Sequence, residues 1–140
     1  MTLKPGSISE LQKLLPQSQR VVDVSLEAIA EFIEHVPEDM TATVQTGMCL
    51  AAFQKRLTAS GQWLPVDPPN PESVTISEML AKNLSGPRRF GCGTVRDWLI
   101  GLAVVMPDGR LIRNGGKVVK NVAGFDLCRL FVGARGTLGI

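Results

Sequence analysis

Leu84-Ser85-Gly86-Pro87-Arg88-Arg89-Phe90-Gly91-Cys92-Gly93 gathers glycines, a proline and two adjacent arginines into one short segment. Two further glycine-bearing stretches follow it, Asn121-Val122-Ala123-Gly124-Phe125-Asp126-Leu127 and Gly133-Ala134-Arg135-Gly136-Thr137-Leu138-Gly139-Ile140. Glycine lets backbone N–H groups turn outward and lets a ligand approach the main chain closely. Several such loops in one short chain predict a wall of backbone donors around a large anionic ligand. A cofactor site explains that pattern better than a protein interface does.

The remaining composition sets the frame. With 140 residues, 44% of them apolar and 20% charged, the chain makes one domain, or a domain of two lobes, with a buried core. Aromatic residues are 5% and tyrosine is absent, which argues against stacking surfaces for nucleic acid. No apolar run approaches the roughly 20 residues of a membrane span, and the first residues lack the order of a signal peptide. Cys49, Cys92 and Cys128 are an odd number at wide spacing. They match no zinc or disulfide pattern, so a reduced, cytoplasmic protein without a metal site is expected.

Charge divides the chain. Residues 1–70 carry five Lys/Arg against eight Asp/Glu, net −3, whereas residues 71–140 carry ten against five, net +5. A solvated basic face is one reading; attraction of a phosphate-bearing ligand to the glycine-rich half is the other.

Local signals outline the elements. Ser7 followed by Glu10 forms a capping-box pattern that opens a short helix, which Pro16 stops. Arg20–Val24 reads as a short buried strand. Leu26–His35 fits a helix, although Glu31–Val36 fits a strand equally well. Thr41–Gln45 favours a strand, and Met48–Ser60 a helix with Leu50, Phe53 and Leu57 on one face and Gly61 as its stop. Asp67-Pro68-Pro69-Asn70-Pro71 excludes regular structure and makes the best internal boundary. Thr75–Asn83 predicts a helix burying Ile76, Met79 and Leu80. Trp98–Met106 predicts a long apolar strand, turned at Pro107-Asp108-Gly109 into a return over Arg110–Arg113. Asp126 is placed to cap a last helix through Phe131.

Familiar catalytic patterns are missing. Gly116-Lys117 ends no phosphate-binding P-loop, because Leu111 and Val118 occupy the glycine and Ser/Thr positions. No Gly-x-Gly-x-x-Gly follows a first strand. His35, the single histidine, has no serine and aspartate arranged around it and reads as a surface or core residue. Asp97 and Asp126 read as caps or loop holders rather than acid–base groups. No catalytic residue is assigned.

At Ser85-Gly86-Pro87-Arg88-Arg89, Lys117-Val118-Val119-Lys120-Asn121-Val122-Ala123-Gly124-Phe125-Asp126-Leu127 and Gly136-Thr137-Leu138-Gly139-Ile140, the chain resembles a known family. It is similar to the FAD-binding (PCMH-type) domain of the vanillyl-alcohol-oxidase-like flavoproteins, above all to the FAD-binding E subunits of bacterial glycolate oxidases. The likeness runs from about Val21 to Ile140. It implies an α+β fold of two lobes, here residues 1–66 and 67–140, with FAD between them. It also implies flavin oxidation of a small 2-hydroxy acid to a 2-oxo acid, with electrons passed to an acceptor. By the same resemblance, Gly47 ends a strand beside the flavin lobe, while Pro68, Pro69, Ser85, Gly86, Gly91, Gly93 and Thr94 approach the cofactor. Gly124 and Asp126 close the site, and Gly136, Thr137, Gly139 and Ile140 lie along the adenine and pyrophosphate.

The chain departs from that pattern in identifiable places. The family's Pro-x-Gly-Gly-Gly-Thr pyrophosphate loop has no counterpart, since Arg20–Ser25 passes straight into the next element. Ser77-Glu78 replaces the usual Gly-Gly, and Cys92 stands where tyrosine is common. The family's last strand and substrate-capping domain lie beyond the matching region, so a shortened domain is expected, working with other subunits or by self-association. The alternative is a degenerate or truncated member that serves assembly without binding FAD.

Overall fold

The computed structural model describes residues 2–18, 23–116 and 126–140. Strand β1 (Thr2–Leu3) and strand β2 (Asp23–Val24) pair in parallel, and helix α1 (Ile8–Leu14) crosses between them. Ser7 Oγ accepts from Glu10 N–H at 3.2 Å, and Glu10 reaches back one residue further than a standard box, to Gly6 N–H at 2.7 Å. Pro16 does not end the helix abruptly; it sits inside a 3₁₀ turn over Leu15–Gln17. Of the strand expected over Arg20–Val24, only Asp23 and Val24 fall within the described residues.

Strand β3 (Phe32–Val36) settles the ambiguity of the next segment, pairing antiparallel with β4 (Thr41–Val44). Pro37 opens the connecting turn and Met40 closes it in a left-handed conformation, φ 53°. Sheet pairing across so short a turn overrides the helical spacing of Leu26–His35. Phe32 then packs on Phe53 of helix α2 (Leu50–Thr58), ring centroids 6.0 Å apart. Leu50, Phe53 and Leu57 are buried as their spacing requires, and Gly61, φ 69°, follows the helix.

Helix α3 (Ile76–Lys82) begins at Thr75, whose hydroxyl accepts from Glu78 N–H at 3.1 Å, and ends at left-handed Asn83. Helices α4 (Arg89–Cys92) and α5 (Val95–Trp98) precede strand β5 (Gly101–Val105), which forms a hairpin with β6 (Leu111–Gly115). The hairpin is as expected, but its first strand starts three residues late. Asp97 Oδ2 accepts from Thr94 N–H at 2.7 Å and Thr94 Oγ1–H at 2.9 Å, and this capping box holds Trp98 in a helical turn. Helix α6 (Leu127–Phe131) is capped by Asp126 as anticipated.

Leu50, Phe53, Leu57, Val66, Val74, Ile76, Met79, Val95 and Val132 form one buried cluster, drawing on both sides of the proline-rich segment. Full burial of such a side chain is worth roughly 1.5–3 kcal/mol. Main chain reinforces that seam. Gly47 N–H donates to Ile29 O at 2.9 Å, while Ser77 N–H donates to Thr46 O at 2.6 Å and Ile76 N–H to Met48 O at 2.9 Å. Gly47 is thereby clasped so closely that an added Cβ would sit 1.8 Å from Leu26 O and 2.6 Å from Ile29 O.

Both obstructing atoms are backbone, so Gly47→Ala should destabilise the fold by about 3 kcal/mol and lower Tm by roughly 5–10 °C. Gly91 has no atom within 4 Å of an added Cβ. Gly91→Ala should therefore change stability by less than about 0.5 kcal/mol. Urea and thermal melts of the two variants check the contrast; equal stability would mean that segments 26–29 and 46–47 separate readily.

Candidate cofactor site

A cavity of about 630 Å³ opens between the two halves of the chain. The N-terminal half contributes Leu15, Pro16, Val24, Leu26 and Thr46 to its walls, and the C-terminal half contributes faces of α3, β5 and the 135–140 loop. The α3 face follows from helical spacing. Ile76 and Met79 point into the core, which turns Ser77, Leu80 and Ala81, at i, i+3 and i+4, toward the cavity.

The 133–140 loop is held by groups a helix leaves unpaired. Gly133 N–H donates to Leu80 O at 2.9 Å and Arg135 N–H to Ala81 O at 3.0 Å, satisfying carbonyls in the last turn of α3. Thr137 turns back on Ala134 O through both its N–H, 3.0 Å, and its hydroxyl, 2.7 Å. Val105 and Ile140 then exchange two hydrogen bonds, 2.7 and 2.9 Å, on the edge of β5 opposite β6. A side chain at Gly139 would collide with Val104, 2.5 Å away, so the loop lies flat on the strand.

Four of the residues expected to touch a cofactor, Gly136, Thr137, Gly139 and Ile140, line this cavity. Gly47 stands behind it, next to the lining residue Thr46. Pro68, Pro69, Ser85, Gly86, Gly91, Gly93, Thr94 and Asp126 are outside its lining, and Gly124 lies outside the described residues. Several of these are engaged with the protein itself. Ser85, 5% exposed, accepts through Oγ from Val95 N–H at 3.0 Å. Gly86, φ 73°, lies against the main chain of Asp67, whose carboxylate accepts from Arg88 N–H at 3.0 Å. Asp126 pairs with Arg129 at 2.9 Å.

Sequence reasoning noted Ser77 only as a departure and did not single out Arg135 or the α3 face. The signal was present in the spacing for Ser77 and Ala81, which lie away from Ile76 and Met79; Leu80, expected in the core, is only partly buried and reaches the cavity as well. Among the described residues, Arg135 is the only cation in the lining and Asp23 the only carboxylate. No group of three potential metal ligands occurs among the described residues. Cys128 is held as the thiol: burial raises its pKa, and the charge of Asp126 adds to the effect.

Apolar walls for a ring system, free hydroxyls and one cation on a glycine loop are the donor set of a dinucleotide site, and they fit FAD. The chain belongs to the family whose description is FAD binding domain, matched over residues 5–115, and FAD is the cofactor that family holds. Glycolate oxidase subunit GlcD of Bacillus subtilis (strain 168) is 43% identical over 110 residues, which cover 79% of this chain and 23% of that protein. Glycolate oxidase subunit GlcE of Escherichia coli (strain K12) is 40% identical over 109 residues, 77% of this chain and 31% of that protein. D-2-hydroxyglutarate dehydrogenase of Xanthomonas citri pv. viticola is 37% identical over 117 residues, 84% of this chain and 25% of that protein. The matched region thus spans well under half the length of these relatives. Among solved structures, alkyldihydroxyacetonephosphate synthase superposes with a TM-score of 0.80 at 22% identity, covering 99% of this chain and 29% of that one, which shows the fold.

One titration in this half of the molecule has a definite sign. Hydrogen bonds from Thr94, first its N–H and then its hydroxyl, hold Asp97 below the ordinary value of 3.8. The stabilisation is therefore complete above that value and is lost as pH falls through the lower folded pKa. The stability gap between wild type and Asp97→Asn, read from urea midpoints, should narrow as pH is lowered from 7 into this acidic range. A gap independent of pH would mean the carboxylate charge contributes nothing to the cap.

Proposed function

We propose that this chain is the FAD-binding segment of a flavin-dependent oxidoreductase acting on a small 2-hydroxy acid, and that it works with further protein segments or subunits. The observation that carries the reading is the cavity between the halves, with its dinucleotide-type donor set, in a chain of the FAD-binding family. The names of the relatives, glycolate oxidase subunits and D-2-hydroxyglutarate dehydrogenase, support the substrate class. Bound flavin would supply two-electron redox chemistry; the chain's own residues bind, orient and shield it. The two lobes, 1–66 and 67–140, act as the two jaws of the site. Gly136–Ile140 takes the adenine and pyrophosphate end; the loops at Pro68–Pro69, Ser85–Gly86 and Gly91–Thr94, which stand outside the cavity lining, are given the remainder on the family resemblance alone. No helix among the described residues is long and apolar enough to cross a membrane; a cytoplasmic address is part of this proposal.

Affinity should be modest. Without the Pro-x-Gly-Gly-Gly-Thr loop the site loses charge-assisted hydrogen bonds worth roughly 1.5–3 kcal/mol each. Two such losses weaken binding by about two to four orders of magnitude. The purified chain should carry far less than one flavin per chain, yet quench FAD fluorescence saturably on titration. Absence of saturable binding up to millimolar FAD would refute the proposal, and stoichiometric retained flavin would show that other groups replace the loop fully.

Among the described residues the lining holds no histidine or lysine, and Asp23 is its one carboxylate, with no second acid–base group to share proton abstraction from a 2-hydroxy acid. The isolated chain with added FAD should therefore show no turnover of glycolate or lactate with an artificial acceptor. Measurable dye reduction dependent on the hydroxy acid would overturn that expectation.

A further inference from the structure

We propose that Arg135 and Ser77 together anchor the diphosphate of the bound dinucleotide, so that the cavity recognises the adenosine-diphosphate half of its ligand. This rests on the FAD reading above and assigns the anionic end of that site to two side chains of this particular sequence.

Both residues stand on the wall of one cavity, and the loop that carries Arg135 is tied to the helix that carries Ser77. Ser77 and Ala81 are one helical turn apart on α3, roughly 5–6 Å between Cβ atoms. Arg135 N–H is fastened to Ala81 O at 3.0 Å, so the loop that carries Arg135 is fixed at the C-terminal end of the same short helix whose first turn carries Ser77. Both residues line the cavity. Among the described residues, neither the Ser77 hydroxyl nor the Arg135 guanidinium has a hydrogen-bonding or ion-pair partner. Other arginines of this half are engaged: Arg88 pairs with Asp67, Arg110 with Asp108 and Arg129 with Asp126, and Arg96 donates to Val132 O.

The adjoining main chain shares that polarity. In the 133–140 loop, Gly133, Ala134, Arg135, Thr137 and Ile140 donate their N–H groups to carbonyls. Gly136, Leu138 and Gly139 have no N–H partner among the described residues. A guanidinium fork, a hydroxyl and free amides are the groups that hold a diphosphate, and the fork does so bidentately. Asp23, the one carboxylate in the lining among the described residues, disfavours an anion beside it, whereas Arg135 attracts one. Arg135 also holds a left-handed conformation, φ 52°, which glycine would adopt at less cost.

Titration of the full chain with FAD, ADP and riboflavin, followed by fluorescence and calorimetry, tests the assignment. ADP should compete with FAD and riboflavin should not. Arg135→Gln should weaken FAD and ADP equally, by about 10- to 100-fold, the span expected for one charge-assisted contact. Arg135→Lys should recover part of the loss, and Ser77→Ala should weaken both ligands several-fold. Arg135→Gly supplies a readout that a structural role cannot imitate, because relief of the positive φ should raise Tm while nucleotide affinity falls. FAD affinity within twofold of wild type in Arg135→Gln would overturn this proposal and leave the FAD reading intact. Binding of ADP without FAD would do the reverse, and binding of neither by wild type would overturn both.

Discussion

The close approach of backbone at Gly47 is the constraint on which the remaining architecture depends. On one side the glycine donates its N–H to Ile29 O and lies against Leu26 O; on the other, its neighbours Thr46 and Met48 accept from Ser77 and Ile76. The segment therefore joins the N-terminal βαβ unit to α3, and α3 in turn supports the 133–140 loop through Leu80 and Ala81. Remove the clasp and the two walls of the cavity lose their common reference. A stronger apolar core could not compensate, because burial is not directional and leaves register to hydrogen bonds.

Much of this organisation was legible in the sequence where the signal was local. Ser7 and Glu10, Thr75, Gly61 and the turn at Pro107-Asp108-Gly109 are read by neighbours a few residues away, and the elements they delimit formed as expected. The apolar run from Trp98 to Met106 was misleading at its start, because the Thr94–Asp97 cap is a polar signal placed just ahead of it. Leu26–His35 remained open until β4 offered β3 a partner. The FAD-binding family was legible too, since its glycine segments are contiguous motifs. The docking of the 133–140 loop on the end of α3 was not. It arises only when the end of α3 receives a loop more than fifty residues later in the chain. Nor could glycine alone reveal its role: at Gly47, Gly86 and Gly139 the close approach it permits is by protein main chain or packed side chain.

Charge placement sharpens what the cavity can accept. Of the ten basic residues after residue 70, Lys82, Arg88, Arg110 and Arg129 sit in short-range pairs at the surface, where each pair contributes little to stability. What matters at the site is Arg135, the one cation in the lining among the described residues. Under the assignment proposed above, that cation beside apolar walls would give a dinucleotide a preferred orientation, anionic middle toward the loop and rings toward Leu26, Leu80 and Phe131. A uniformly basic surface would bind phosphate without imposing that direction.

The contact between the first helix and the last hairpin has a kinetic consequence. Gln12 Nε2 donates to Gly109 O at 3.0 Å, and Gly109, φ 83°, lies so close that a Cβ there would be 2.4 Å from Gln12 O. These partners are 97 positions apart. At ribosomal rates of roughly 5–20 residues per second, α1 waits about 5–20 s for the turn that covers it. During that interval its apolar stripe, including Leu11, is an unshielded surface on a nascent chain. Holding factors that act on emerging polypeptides would find that stripe uncovered well before the cofactor cavity exists.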